Sequence, residues 1–298
     1  MDHVRLPIDY PVIADGDGYD ECGFEYIDAC LEWCRDNDLH VIFDLHQAPG
    51  YSFDDPDGSQ LFEDAARQDR FVDVWREFAE RYESAGEDVV FELLNEVVDP
   101  PANQWNDLVD RALQAIREVD PEREVIVGGP DYNDVDALET IDPIADDNVV
   151  YTFHFYEPKL FTHQYASWMD SMSEYATTVE YPGTFPGLES FLSDNPGYAS
   201  GYDRFVDEWI DREWIEDTLT PAVEFREKTD ATLYCGEFGV IDQAPLDSRI
   251  NWYRDVVDVL NDLGIGHACW SYREMSFGLI DEDREPVSDE LIAIVSQH

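Results

Sequence analysis

The stretch that decides the fold is "VVFELLNE", residues 89–96. It is almost continuously apolar up to an amide and a carboxylate, Asn95 and Glu96, that close it. A strand that is apolar on both faces is covered on both faces, which is the condition of a parallel sheet packed under helices. Six more runs share this character: "HVRLPI" at 3–8, "HVIFDLH" at 40–46, "EVIVGG" at 124–129, "NVVYTFHFY" at 148–156, "ATLYCGEFG" at 231–239 and "IGHACWSY" at 265–272. Helical stripes separate most of them. Phe24, Ile27, Leu31 and Cys34 make one; Phe71, Trp75, Phe78 and Tyr82 a second; Trp105, Leu108, Ala112, Ile116 and Val119 a third. Later stripes run through Phe205 and Trp209, through Leu219 and Val223, and through Tyr253, Val256 and Leu260, before a short last helix at about 288–296.

Strands alternating with helices predict an α/β fold. Seven such strands predict a (β/α)8 TIM barrel, and the alternative, a doubly wound sheet, lacks its glycine signature: "VGGPDYN" at 127–133 has neither GxGxxG nor a phosphate-loop lysine. Single barrels reach this length, so one domain spanning 1–298 is expected. The segment 157–200 is too long for an ordinary connection, and its aromatic residues mark it as a wall of a binding cleft.

The chain carries 69 acidic against 18 basic residues, a formal charge of -51. That surface repels phosphate backbones and anionic membranes, which excludes nucleic-acid and membrane partners. With 44% hydrophobic and 13% aromatic residues the chain is nevertheless a core former. The acid excess reads as an adaptation to high salt, where a short Debye length screens self-repulsion. Cys22, Cys30, Cys34, Cys235 and Cys269 fit no metal or disulfide spacing and are expected to be small core residues. No apolar stretch reaches the ~18 residues of a membrane helix. The N-terminus lacks the order of a signal peptide, so the protein is cytoplasmic if Met1 is its start and extracellular if an export segment precedes it. A monomer is expected.

Residues that do chemistry in a β/α barrel sit at the C-terminal ends of its strands. Arg5, His46, Asn95 with Glu96, His154 with Tyr156, Glu237 and Trp270 all fall at or near such ends. Two glutamates facing one bowl fit cleavage of an acetal between sugars, which needs a proton for the leaving oxygen and electron density for the anomeric carbon. Neighbouring carboxylates resist double ionisation, so one keeps its proton. We assign the proton to Glu96 and the charge to Glu237, with Arg5 and Tyr156 donating to Glu237. Asn95, His46 and His154 are placed to bond sugar hydroxyls and Trp270 to stack on a pyranose ring; Tyr165 and Trp168 are weaker candidates for extending the cleft. No catalytic metal or other cofactor is expected, since His46, His154 and His163 form no HExxH-like motif and carboxylates suffice for the reaction.

Taken together, "FELLNE", "GEFG", "DLHQAPG", "HFYEPKLFTHQ" and "CWSY" resemble glycoside hydrolase family five, the cellulase family, along essentially the whole chain from Val4. The resemblance implies a retaining β-glycanase on a (β/α)8 barrel. It puts the acid and base on Glu96, the nucleophile on Glu237, and supporting roles on Arg5, His46, Asn95, His154, Tyr156 and Trp270. "FTHQ" is closer to endoglucanase-like than to mannanase-like members and implies a β-1,4-glucan substrate. The alternatives are a β-mannanase, an exo-β-1,3-glucanase, or an inactive carbohydrate-binding protein. In the family pattern "HVRLPI" is the second strand, so a first strand and helix, roughly 30 to 40 residues, are expected ahead of Met1 unless a partner chain or rearranged terminus fills their place.

Overall fold

The computed structural model describes residues 2–55, 58–98, 100 and 102–297. Seven strands form one sheet: β1 His3–Asp9, β2 His40–Gln47, β3 Val89–Glu92, β4 Val125–Gly128, β5 Val149–Phe155, β6 Thr232–Phe238 and β7 Gly266–Cys269. Each strand lies beside its neighbour in the chain. From β1 to β5 the pairs are parallel, with Arg5 opposite Ile42, Phe43 opposite Phe91, Phe91 opposite Val125 and Val127 opposite Tyr151. A doubly wound sheet would reverse this order at a switch point; a sheet of the barrel type keeps it.

The main helices are α1 Glu21–Asp36, α2 Ala65–Tyr82, α3 Ala102–Arg117, α4 Thr220–Thr229, α5 Leu246–Asp262 and α6 Asp289–Val295. None is long and apolar enough to cross a membrane among the described residues. The chain forms two compact units, residues 2–154 with 224–234 and residues 155–223 with 235–298; β5, β6 and α4 run through both.

In the first unit, α1 and α2 start where Asp20 and Asp64 accept hydrogen bonds from the backbone N–H of Cys22 and Ala66, satisfying donors that a helix start leaves bare. The stripes read from the sequence face inward. Phe24, Ile27, Leu31 and Cys34 are buried on α1, and Phe71, Trp75, Phe78 and Tyr82 on α2. Their rings interlock with the strands: Phe43 meets Tyr82 at 4.8 Å and Phe91 meets Trp75 at 5.3 Å between centroids. Buried Arg123 lies over the Phe91 ring and donates to the carbonyls of Tyr82, Gly86 and Val89, so its charge is met by Asp120 and by backbone oxygens.

In the second unit α5 supplies the core. Trp252 stacks on Phe155 at 6.0 Å and Tyr253 packs against Phe238 at 5.7 Å. The segment 157–200 folds into short helices, including Lys159–Thr162, Asp170–Tyr175 and Leu188–Asp194, that bury Leu160, Phe161, Met172 and Leu192.

Three expectations need correction. The β3 ladder ends at Glu92, although Leu93 N–H still reaches the Ile126 carbonyl at 3.1 Å. Phe205 and Trp209 share no helix, because Asp207 adopts a left-handed backbone (φ 60°) that ends helical continuation, and Trp209 is exposed. Cys22 is exposed in the first turn of α1 rather than packed in the core. Burial pushes the Cys269 thiol up to about 12, and Cys235 also well above the ordinary range, so both stay protonated at neutral pH.

Candidate active site

The first unit gathers three of the expected residues, Arg5, His46 and Asn95, into one hydrogen-bonded group and pairs two more, Glu96 and His154. Arg5 reaches from β1 and grips Glu92 side-on, Nε to Oε2 at 2.6 Å and Nη2 to Oε1 at 2.9 Å. The same Nη2 donates to Asn95 Oδ1 at 2.9 Å and lies 3.0 Å from Asp44 Oδ2. Asp44 in turn accepts from His46 Nδ1 at 2.7 Å. Asp44 and Glu92 are fully buried, a placement carboxylates tolerate only beside a cation. Burial raises the Asp44 carboxyl, yet the Arg5 charge and His46 outweigh it and hold the group below the usual carboxylate range. Within the first unit the Arg5 guanidinium serves Glu92, Asp44 and Asn95, partners that the sequence pattern alone does not show.

Glu96 stands beyond the end of β3, on a turn where its own backbone is left-handed (φ 40°). Its Oε1 lies 2.9 Å from Nδ1 of buried His154, near the end of β5. Asn133 Nδ2 contacts the other ring nitrogen, Nε2, at 3.4 Å, and the Asn133 carbonyl accepts from the His154 backbone N–H at 2.8 Å. With an amide N–H at Nε2, the ring proton belongs on Nδ1, facing Glu96. Asn133 closes a run of three left-handed residues, Asp131, Tyr132 and Asn133. A Cβ on Gly128 would come within 2.4 Å of Asn133 Oδ1, so this approach needs glycine there.

In the second unit Glu237 is the penultimate residue of β6 and is buried, accepting a hydrogen bond from Tyr156 Oη at 2.8 Å. Tyr156 stands edge-on to His163 (5.2 Å) and Phe277 (5.8 Å), and His163 edge-on to exposed Trp168 at 6.4 Å. Thr162 Oγ1 donates to the Tyr156 carbonyl and accepts from His163 Nδ1 at 3.0 Å. Protein packed around His163 pushes its imidazole down to about 3, with Lys159 adding to the effect, so the ring is neutral at working pH. Trp270 follows β7, half-buried, its N–H donating to the Phe238 carbonyl at 2.9 Å; its peptide bond to Ser271 is cis. Tyr165 Oη is 2.9 Å from Thr178 Oγ1.

Sequence reasoning missed Asp44, Glu92, Asn133 and also Tyr51, whose hydroxyl donates to the Glu96 carbonyl and accepts from the Val98 N–H. The first two carried a signal: an acid inside "VIFDLH" or "VVFELL" interrupts an apolar run and demands a buried partner. Asn133 and Tyr51 sit in loops, where no periodicity points inward.

The first unit supplies a carboxyl held by an imidazole beside buried amide and imidazole donors, and the second supplies a carboxyl held by a phenol; each is equipment for acid–base or nucleophilic chemistry on a neutral polyol. The model of the cellulase family, glycosyl hydrolase family 5, matches residues 1–276. Endoglucanase C of Acetivibrio thermocellus is 48% identical over 304 residues, covering 100% of this chain and 87% of the relative. Cellodextrinase A of Ruminococcus flavefaciens is 35% identical, covering 90% of this chain and 74% of the relative. Among solved structures, the endoglucanase Cel5A of Thermotoga maritima superposes with a TM-score of 0.78 at 25% identity, covering 98% of this chain and 85% of that one. The fold class is therefore the (β/α)8 barrel read from the strand pattern, and the chain belongs to the cellulase family, glycosyl hydrolase family 5.

Proposed function

We propose that the protein is a retaining endoglucanase that hydrolyses β-1,4-glucan by double displacement. Glu237 attacks the anomeric carbon while Glu96 gives its proton to the leaving sugar oxygen. Water then loses a proton to Glu96 and attacks the same carbon, releasing the sugar with its β configuration restored and Glu237 as a carboxylate. Tyr156, donating to Glu237, steadies the nucleophile, while His154 aims the Glu96 carboxyl. Asp44 orients His46, and Trp270 offers an apolar face to a pyranose ring.

The observation that carries this reading is Asn95. Its Oδ1 is taken by Arg5, while its Nδ2 is buried with no partner among the described residues. A buried N–H without an acceptor is costly unless a ligand supplies one, and a sugar hydroxyl beside the reacting carbon does. The named activities of the endoglucanase and cellodextrinase relatives support a β-glucan as that ligand.

The test is reducing-sugar release from carboxymethylcellulose, mannan, xylan and laminarin, together with two variants. Carboxymethylcellulose is cut fastest. Glu237→Ala and Glu96→Ala each lose on the order of 10⁴-fold on that polymer. With an activated aryl cellobioside and azide, Glu96→Ala yields the β-glycosyl azide and Glu237→Ala the α-glycosyl azide. The opposite pairing exchanges the two roles; activity retained in both variants removes them.

A further inference from the structure

Between β2 and α2 the chain makes a tight reversal. Ala48 N–H donates to the Tyr51 carbonyl at 3.1 Å and Tyr51 N–H to the Ala48 carbonyl at 3.0 Å. Gly50 turns the corner with φ 70°, where any side chain would run into the Arg67 guanidinium. The reversal sends Tyr51 inward: the residue is 4% exposed and its ring meets Phe62 at 6.0 Å. Its hydroxyl then does two things at once. It donates to the Glu96 carbonyl at 2.6 Å and accepts from the Val98 N–H at 2.8 Å.

This phenol spans the turn that presents Glu96. A glutamate has no intrinsic preference for the left-handed region, so the turn holds only if its surroundings over-determine it. Asn95 N–H is tied to the Leu45 carbonyl at 3.1 Å and the Val97 carbonyl to Tyr132 N–H at 3.1 Å. Tyr51 adds ties at two further groups, the carbonyl of Glu96 itself and the N–H of Val98. Removing the hydroxyl breaks both bonds and frees the turn to relax toward right-handed conformers, which swings the carboxyl.

We infer that Tyr51 is a positioning residue for the proton transfer by Glu96, a role that rests on the reading of Glu96 as acid and base. It touches neither sugar nor reacting atom; it acts through the backbone of Glu96. General acid assistance is needed in proportion to how poor the leaving group is, so a misplaced acid has a selective signature.

The experiment compares Tyr51→Phe with the unaltered enzyme on two substrates: a cello-oligosaccharide, whose leaving alcohol needs a proton, and 2,4-dinitrophenyl cellobioside, whose leaving group needs none. Expected is a loss of about 10- to 100-fold in kcat/KM on the oligosaccharide, the scale of a small misplacement, with a change under about 3-fold on the dinitrophenyl substrate. Placing p-aminophenylalanine at position 51 restores a donor toward the Glu96 carbonyl and recovers most of the rate; it also serves if Tyr51→Phe does not fold. Equal losses on both substrates, or none on either, overturn the inference. Glu96→Ala, run in parallel, must show the same selectivity more strongly. If it does not, the reading of Glu96 fails on its own account, whatever Tyr51 does.

Discussion

Glu96 and Glu237 are the same side chain installed in two different ways. Glu237 sits within β6, its backbone held by the strand, with the Tyr156 phenol donating at its tip. Glu96 sits past the end of β3 on a left-handed turn, secured by Tyr51 at the backbone and by His154 at the carboxyl. Regular structure positions a group cheaply but rigidly. An irregular turn requires partners from several loops, and in return it can aim a carboxyl in a direction that the pleat of a strand does not offer. A nucleophile that must hold one line of attack suits the first arrangement. A group that first gives and later takes a proton suits the second.

The largest effect that separates the two arrangements concerns Arg5. In the first unit one guanidinium faces both Asp44 and Glu92 and holds Asn95 beside Glu96. Arg5→Met leaves two buried carboxylates without their cation and destabilises the protein by about 3–5 kcal/mol in denaturant titrations. Adding Glu92→Gln recovers part of that loss, because one of the bare charges goes. If Arg5→Met unfolds at the original midpoint, the first network is ornamental and the comparison fails.

A smaller effect belongs to Tyr156. A hydrogen bond to a charged group is worth about 1.5–3 kcal/mol, so Tyr156→Phe lowers kcat/KM by about 10- to 100-fold. The strand still holds Glu237, so stability is nearly unchanged. A loss of stability matching the loss of rate shows instead that Tyr156 helps build the site rather than tune it.

The effect that vanishes at neutral pH is the pH dependence that His163 adds to the second unit. Its folded value, about 3, lies below the ordinary 6.5 of an unfolded chain. The unfolded state therefore binds a proton that the folded state refuses. The stabilisation is complete above about pH 6.5 and drains away as pH falls toward 3, with a slope of up to about 1.4 kcal/mol per pH unit. His163→Gln flattens that part of the curve. Asp44, also depressed on folding, stabilises the protein above about pH 4 and gives this up only at greater acidity, so the two units respond in different windows. Identical curves for His163→Gln and the unaltered protein between pH 6.5 and 4 remove His163 from this account.

What could be read in advance follows the same division. All seven strands were legible, because a run buried on both faces cannot hide its composition, and the inward stripes of α1 and α2 were legible for the corresponding reason. Glu237 and the Asn95–Glu96 pair were visible as polar residues abruptly closing such runs. The supports were harder. Arg5 is legible as a strand-end cation, but its grip on Asp44 and Glu92 is not, because sequence spacing does not show that these acids stand on the two strands that follow it in the sheet. Tyr51 and Asn133 depend on left-handed loop residues at Gly50 and at positions 131–133, and propensity is silent there. The helix expected through Phe205 and Trp209 failed on one backbone angle, at Asp207, with the right residue spacing on either side of it.

The grip of Arg5 on Glu92, 87 positions further along, also bears on how the protein comes into being. During synthesis the strand bearing the guanidinium leaves the ribosome ahead of the two acids it pairs with. Neither acid can leave water cheaply until that strand has docked, so β2 and β3 are held back from premature collapse onto each other. The strand β1 thus behaves as a licence for the rest of the first unit, and a chain lacking it is expected to stall as an open, protease-sensitive species instead of folding into an idle enzyme.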